Sequence, residues 1–146
     1  NALRRAESMG FEPFLFSNQS GVARGYFTLE TVHACNRRML ELLELPQDFF
    51  KDNCVATEHP DDEACYRKPS PRFILEMAQK HDLDLGRSYM VGDKLLDLQT
   101  AVNAGAKGAF VKTGKPFTDE VQLFAKEQNM RTFDDLSGFV DSLEGK

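Results

Sequence analysis

The chain has no apolar run of the ~18–20 residues that a membrane-spanning helix needs. It has no charged-then-apolar leader at its start, no internal repeat and no low-complexity stretch. It has little cysteine, three residues in all (Cys35, Cys54 and Cys65), and no surplus of basic charge. The first two absences argue against a bilayer span or a signal peptide, so no membrane partner is expected. An odd, small number of cysteines in a chain of this size reads as reduced thiols rather than a disulfide framework, and places the protein in the cytoplasm. A net charge of −5 and a pI near 5.2 disfavour nucleic acid as a partner, which calls for a clustered basic surface. An anionic small molecule stays possible, because a few local cations override a weak global field.

What is present is enough apolar content, 41% of 146 residues, for one globular domain over residues 1–146, expected to be a monomer. The 12 phenylalanines are scattered through the predicted elements and fit a core better than a stacking platform. Residues 2–9 read as a helix closed by Gly10, and residues 14–16 as a strand ending at Ser17. A polar, glycine-bearing loop (18–27) follows. Thr28 then caps a helix over 29–45, with Val32, Leu40 and Leu43 on one face and Pro46 just beyond it. A β-prone run at 53–57 leads into an acidic loop (58–66). Ser70 as N-cap and Pro71 as first helical residue launch a helix over 72–80. A strand at 88–91, a helix at 94–103 closed by Gly105, a strand at 109–111, a helix at 119–127, a strand at 131–133 and a helix at 135–143 complete the pattern. Alternation of this kind predicts an α/β fold with a parallel sheet, and such sheets bind ligands beyond the carboxyl ends of their strands.

Three polar segments fall at such places. Ser17-Asn18-Gln19-Ser20-Gly21 follows the first strand, where a hydroxyl and successive N–H groups can face an oxyanion, with Gly21 and Gly25 allowing close approach; ordinary turn chemistry is the alternative. Lys68 is a compact cation suited to phosphoryl oxygens, and Arg67 beside it a planar fork; a solvated basic pair before a helix is the alternative. Asp93 follows an apolar strand and Gly92, where a carboxylate can reach a Mg²⁺ ion. Asp97, one turn along, can orient Lys94 or a metal-bound water; an N-cap aspartate with a surface aspartate is the alternative. Taken together, a hydroxyl, a cation and a metal-seeking carboxylate suit phosphoryl transfer. Cys54, His59 and Cys65 offer at most three soft ligands, where a closed structural zinc site needs four, and His33 and His81 sit in helical contexts.

On the segments Ser17 to Phe27, Tyr66-Arg67-Lys68-Pro69 and Met90-Val91-Gly92-Asp93-Lys94, the chain resembles the haloacid dehalogenase (HAD) superfamily of aspartyl phosphotransferases. Within it the likeness is to the branch holding heptose-bisphosphate and histidinol-phosphate phosphatases, and it runs from about Leu3 to Gly114. The resemblance implies a Rossmann-like three-layer sheet and assigns roles. Ser17 contacts the phosphoryl group, and the loop Ser17, Asn18, Gln19, Ser20, with Arg24, forms part of the substrate site. Lys68 stabilises the phosphoryl group, Arg67 recognises substrate, and Asp93 with Lys94 sits at the Mg²⁺ site, supported by Asp97.

Two departures follow. The superfamily's Asp-x-Asp-Gly strand end, source of nucleophile and general acid, is not among the 146 residues; Asp82-Leu83-Asp84 follows a helix instead. The expectation is that the natural protein continues upstream of Asn1, supplying that aspartate and the first central strand, and that the 146 residues alone are inactive. Relatives also carry a Cys-x-His…Cys-x-Cys zinc clip before Arg-Lys-Pro, and those positions hold Ala56, Glu58, Ala64 and Tyr66 here, so no zinc is expected. The function implied is a Mg²⁺-dependent phosphatase of carbohydrate metabolism acting on a small phosphorylated metabolite, a sugar phosphate such as heptose 1,7-bisphosphate. Histidinol phosphate, a polynucleotide 3′-phosphate and a non-catalytic anion-binding module are the alternatives.

Overall fold

The structure is a computed structural model that describes residues 1–144. Its chain divides into two compact units, Asn1 with Leu3–Arg67, and Ala2 with Lys68–Lys146.

The first unit contains α1 (Ala2–Ser8), β1 (Leu15–Asn18), α2 (Leu29–Leu42) and β2 (Asn53–Ala56). The two strands pair in parallel, Ser17 opposite Val55 and Asn18 opposite Ala56. Thr28 caps α2 as expected, its hydroxyl accepting from the Thr31 N–H at 3.2 Å. The helix stops at Leu42, three residues before the predicted end. Glu44 turns left-handed (φ 55°), its N–H bonds Glu41 O and the Leu45 N–H bonds Leu40 O. That is a Schellman closure, in which the residue past the cap packs back on the last turn. Leu40 and Leu45 accordingly share a small core with Phe49. Leu43, expected on the apolar face with Val32 and Leu40, instead caps the helix and is exposed.

The second unit contains α3 (Arg72–His81), a single 3₁₀ turn (Leu85–Arg87), β3 (Tyr89–Gly92), α4 (Leu95–Ala104), β4 (Lys107–Val111), α5 (Asp119–Glu127), β5 (Arg131–Phe133) and α6 (Leu136–Asp141). Its three strands are parallel in the order β3-β4-β5, so the α/β class with parallel sheets holds. Helix α4 lies against β3 and β4 and delivers Leu98 to a core with Phe110, Val121 and Ala125. Pro71, not Ser70, is the residue flanking α3, with Ser70 Oγ only a long 3.4 Å from the Arg72 N–H. Helix α6 ends two residues earlier than expected, at Asp141. The Asp82-Leu83-Asp84 pair has structural duties: Asp82 closes α3 in a left-handed conformation, and Asp84 caps the 3₁₀ turn through the Gly86 N–H at 2.9 Å. Among the described residues no helix is long and apolar enough to cross a membrane.

Candidate phosphoryl-transfer site

In the first unit the candidate residues gather at the carboxyl ends of β1 and β2. Ser17 lies in the last turn of strand before the loop, because its neighbour Asn18 still pairs with Ala56 and the Gln19 N–H closes on Ala56 O at 2.7 Å. The Gln19 side chain then folds back and donates to Ser17 Oγ at 2.7 Å. That bond fixes the hydroxyl oxygen and leaves its O–H as a donor, which meets no acceptor among the described residues. Ser20 O receives the Arg24 N–H at 3.0 Å, which winds the loop into turns and leaves Arg24 exposed. Gly21 was expected to let a ligand approach; the group that takes up its missing side-chain space is the Phe27 ring. Beyond β2, Glu58 Oε1 accepts from the Tyr66 N–H at 3.0 Å. Two polar atoms here, Glu58 Oε2 and Arg67 Nε, are buried without a hydrogen-bond partner among the described residues.

In the second unit the centre is a buried ion pair. Lys68 is 8% exposed and Asp97 3%, and Lys68 Nζ donates to Asp97 Oδ1 at 2.6 Å. The other oxygen of Asp97 accepts from the Lys94 N–H at 3.0 Å, while the Asp97 N–H bonds Lys94 O. Asp97 therefore does two things with one carboxylate. It caps the start of α4, where acidic groups are favoured, and it holds the ammonium of a residue 29 positions away. Its expected role was to orient Lys94 or a metal-bound water. The structure gives it the Lys94 main-chain N–H, and the Lys68 pairing was not anticipated. Each oxygen of Asp97 thus receives one donor.

Asp93 is placed by the turn between β3 and α4, and its Oδ2 accepts from the Lys115 N–H at 3.0 Å. Two glycines have to be glycines for this arrangement. A Cβ on Gly92 would fall inside the Asp97 carboxylate, and one on Gly114 inside that of Asp93. The two carboxylates are thus packed against bare backbone, which fixes their positions more tightly than their hydrogen bonds alone. Asp93 Oδ1 makes no hydrogen bond among the described residues. A carboxylate oxygen left unbonded fits Mg²⁺, which takes one or two carboxylates and fills its octahedron with water and phosphate oxygens. The Lys94 ammonium cannot ligate a cation, so any share this residue has in a metal site comes from its main chain. No group of three or more His, Cys, Asp or Glu with metal-site geometry occurs among the described residues, and Cys35, Cys54 and Cys65 are free thiols.

Parallel strands alternating with helices, with groups suited to phosphate after strands of each unit, describe an α/β protein of the phosphatase kind, and comparison with known proteins gives the family. The HAD-hydrolase-like family model matches residues 65–139, and the chain belongs to that family. It is 39% identical over 131 residues to D-glycero-D-manno-heptose-1,7-bisphosphate 7-phosphatase of Thermosynechococcus vestitus, covering 82% of this chain and 66% of that protein. It is 38% identical over 141 residues to D-glycero-beta-D-manno-heptose-1,7-bisphosphate 7-phosphatase of Yersinia pestis, covering 86% and 71%. The crystal structure of D,D-heptose 1.7-bisphosphate phosphatase from B. bronchiseptica, complexed with magnesium and phosphate, superposes with a TM-score of 0.81 at 30% identity over 98% of this chain and 79% of that one. The chain spans about two thirds (66%) of the length of the first curated relatives it matches.

Proposed function

We propose that this chain belongs to a Mg²⁺-dependent phosphomonoester hydrolase whose substrate is a small phosphorylated sugar, D-glycero-D-manno-heptose 1,7-bisphosphate being the first choice. The observation that carries this reading is the buried Lys68–Asp97 pair at 2.6 Å, formed on the helix that begins just after Asp93. An ammonium buried at such a cost is of use where a concentrated negative charge arrives, and a transferring phosphoryl group is such a charge. Likeness to phosphatases of heptose 1,7-bisphosphate across most of the chain supports the substrate class.

In this reading Lys68 faces the phosphoryl oxygens and neutralises charge that grows in the transition state. Asp97 keeps that ammonium aimed. Within the first unit Ser17, its oxygen fixed by Gln19, has an O–H suited to an anion's oxygen, and Arg67 a guanidinium suited to the same kind of ligand. Asp93, its Oδ2 anchored by the Lys115 N–H, is the residue that would hold Mg²⁺. When bound, the metal supplies charge neutralisation and orientation of the phosphate. The attacking group that this reading calls for is an aspartate, and the aspartyl-phosphate formed on it is released by water.

A substrate panel tests the assignment in the full-length protein: heptose 1,7-bisphosphate, histidinol phosphate and a 3′-phosphorylated oligonucleotide, each with and without Mg²⁺. Turnover should be highest with the heptose compound and should require the metal. Preferential release from the oligonucleotide, or from none of the three, contradicts the reading.

A further inference from the structure

The loop between β2 and the Arg67-Lys68 pair is acidic, and nothing in its composition explains why it should hold one shape. One side chain closes it. Glu58, two residues past β2, reaches across the loop so that Oε1 accepts from the Tyr66 N–H at 3.0 Å, spanning eight residues. Inside that closure, His59 supports the first turn, its Nδ1 accepting from the Asp61 N–H at 3.2 Å. Tyr66 immediately precedes Arg67, so a bond that pins the Tyr66 amide also pins the backbone from which the guanidinium departs. The Arg67 Nε is buried and donates to nothing among the described residues, and Glu58 Oε2 is likewise buried and unpaired. A buried donor left unspent is unfavourable unless a ligand completes it. It marks an arm held ready rather than one packed for stability.

We infer that Glu58 is a positioning residue: its carboxylate braces the loop through the Tyr66 amide, and so presents the Arg67 Nε–H to an anionic ligand. This rests on the phosphatase reading only for the identity of the ligand; the brace itself lies wholly within the first unit. Glutamine keeps a carbonyl oxygen at the same reach and can accept the same N–H, whereas alanine cannot. A brace is therefore rescued by Glu58→Gln, and a role that needs the negative charge is not.

The full chain is studied in three forms, wild type, Glu58→Ala and Glu58→Gln, with inorganic phosphate as the probe. Three quantities are read: hydrogen exchange at the Tyr66 amide, exchange and line width of the Arg67 Nε–H resonance, and phosphate affinity. In Glu58→Ala, Tyr66 protection should fall by about tenfold or more, the Arg67 resonance should broaden, and phosphate should bind about tenfold more weakly. Glu58→Gln should stay within about twofold of wild type in all three. Unchanged Tyr66 protection in Glu58→Ala overturns the brace. Lost protection with an unmoved Arg67 resonance overturns the positioning. A Glu58→Gln form as impaired as Glu58→Ala overturns both. If wild type binds no phosphate, the phosphatase reading fails, and the Tyr66 and Arg67 resonances still decide this inference by the same criteria.

Discussion

Replacing Asp97 with asparagine keeps the shape of the side chain and removes its charge, and the surroundings leave little room for adjustment. The aspartate is 3% exposed and receives two donors, Lys68 Nζ at 2.6 Å and Lys94 N at 3.0 Å, one on each oxygen. Asparagine has one acceptor oxygen, so one donor must face its NH₂ group. If the amide keeps the helix cap, the buried Lys68 ammonium loses its counter-charge. If it faces Lys68, the ammonium keeps a neutral acceptor without its counter-charge, and the first turn of α4 loses its cap. Breaking a buried pair from one side costs about 3–5 kcal/mol, against about 1 kcal/mol for a lost cap. The cap is therefore the interaction sacrificed where rotation allows, and the lost cap together with the partial loss from a neutral partner for the ammonium should cost about 2–3 kcal/mol. For a chain of this length that lowers the thermal midpoint by roughly 5–10 °C. Phosphatase turnover should drop by about 10²-fold, because Lys68 stays near the reaction but is no longer fixed. Urea denaturation followed by circular dichroism, with steady-state phosphate release in parallel, reads both effects. A companion Lys68→Met/Asp97→Leu form should regain most of the stability and none of the activity. An Asp97→Asn protein as stable and as active as wild type would refute the reasoning.

Asp93→Asn keeps an oxygen for the Lys115 N–H, so stability should change by less than about 1 kcal/mol; the rate should fall to background and stop responding to Mg²⁺, as a metal titration of activity will show. Gly92→Ala forces a methyl group into the Asp97 carboxylate, and overpacking of this kind costs about 1–3 kcal/mol; a melting midpoint equal to wild type would rule out the packing argument. Gly114→Ala acts on Asp93 in the same way, and should weaken Mg²⁺ binding measured calorimetrically by about tenfold or more while leaving the Lys68–Asp97 pair intact.

Much of the fold was legible because its signals are local. Helix α5 and strand β5 fall on the residues that periodicity and caps indicate, since Thr118 is a true N-cap and Asn129 tolerates the left-handed turn that follows. The end of α2 was not legible: Glu44 is an unusual residue for a left-handed position, and the Leu40–Leu45 packing that enforces it is tertiary. The candidate site divides in the same manner. Ser17, Lys68 and Asp93 stand out by residue type beside strand ends and helix starts. Their partners do not, because Gln19 folding back on Ser17, Asp97 gripping Lys68 and the Lys115 N–H anchoring Asp93 depend on where the backbone brings distant positions. The glycines at 92 and 114 were the one available hint, since a residue without a side chain beside an acid suggests that the acid needs its space.

The comparison that decides the matter is Mg²⁺-dependent phosphate release from D-glycero-D-manno-heptose 1,7-bisphosphate by the full-length protein and by its Lys68→Ala form. Wild type should turn over only with the metal, and Lys68→Ala should be slower by about 10²–10³-fold. Equal rates in the two proteins would show that the buried ammonium takes no part in the reaction.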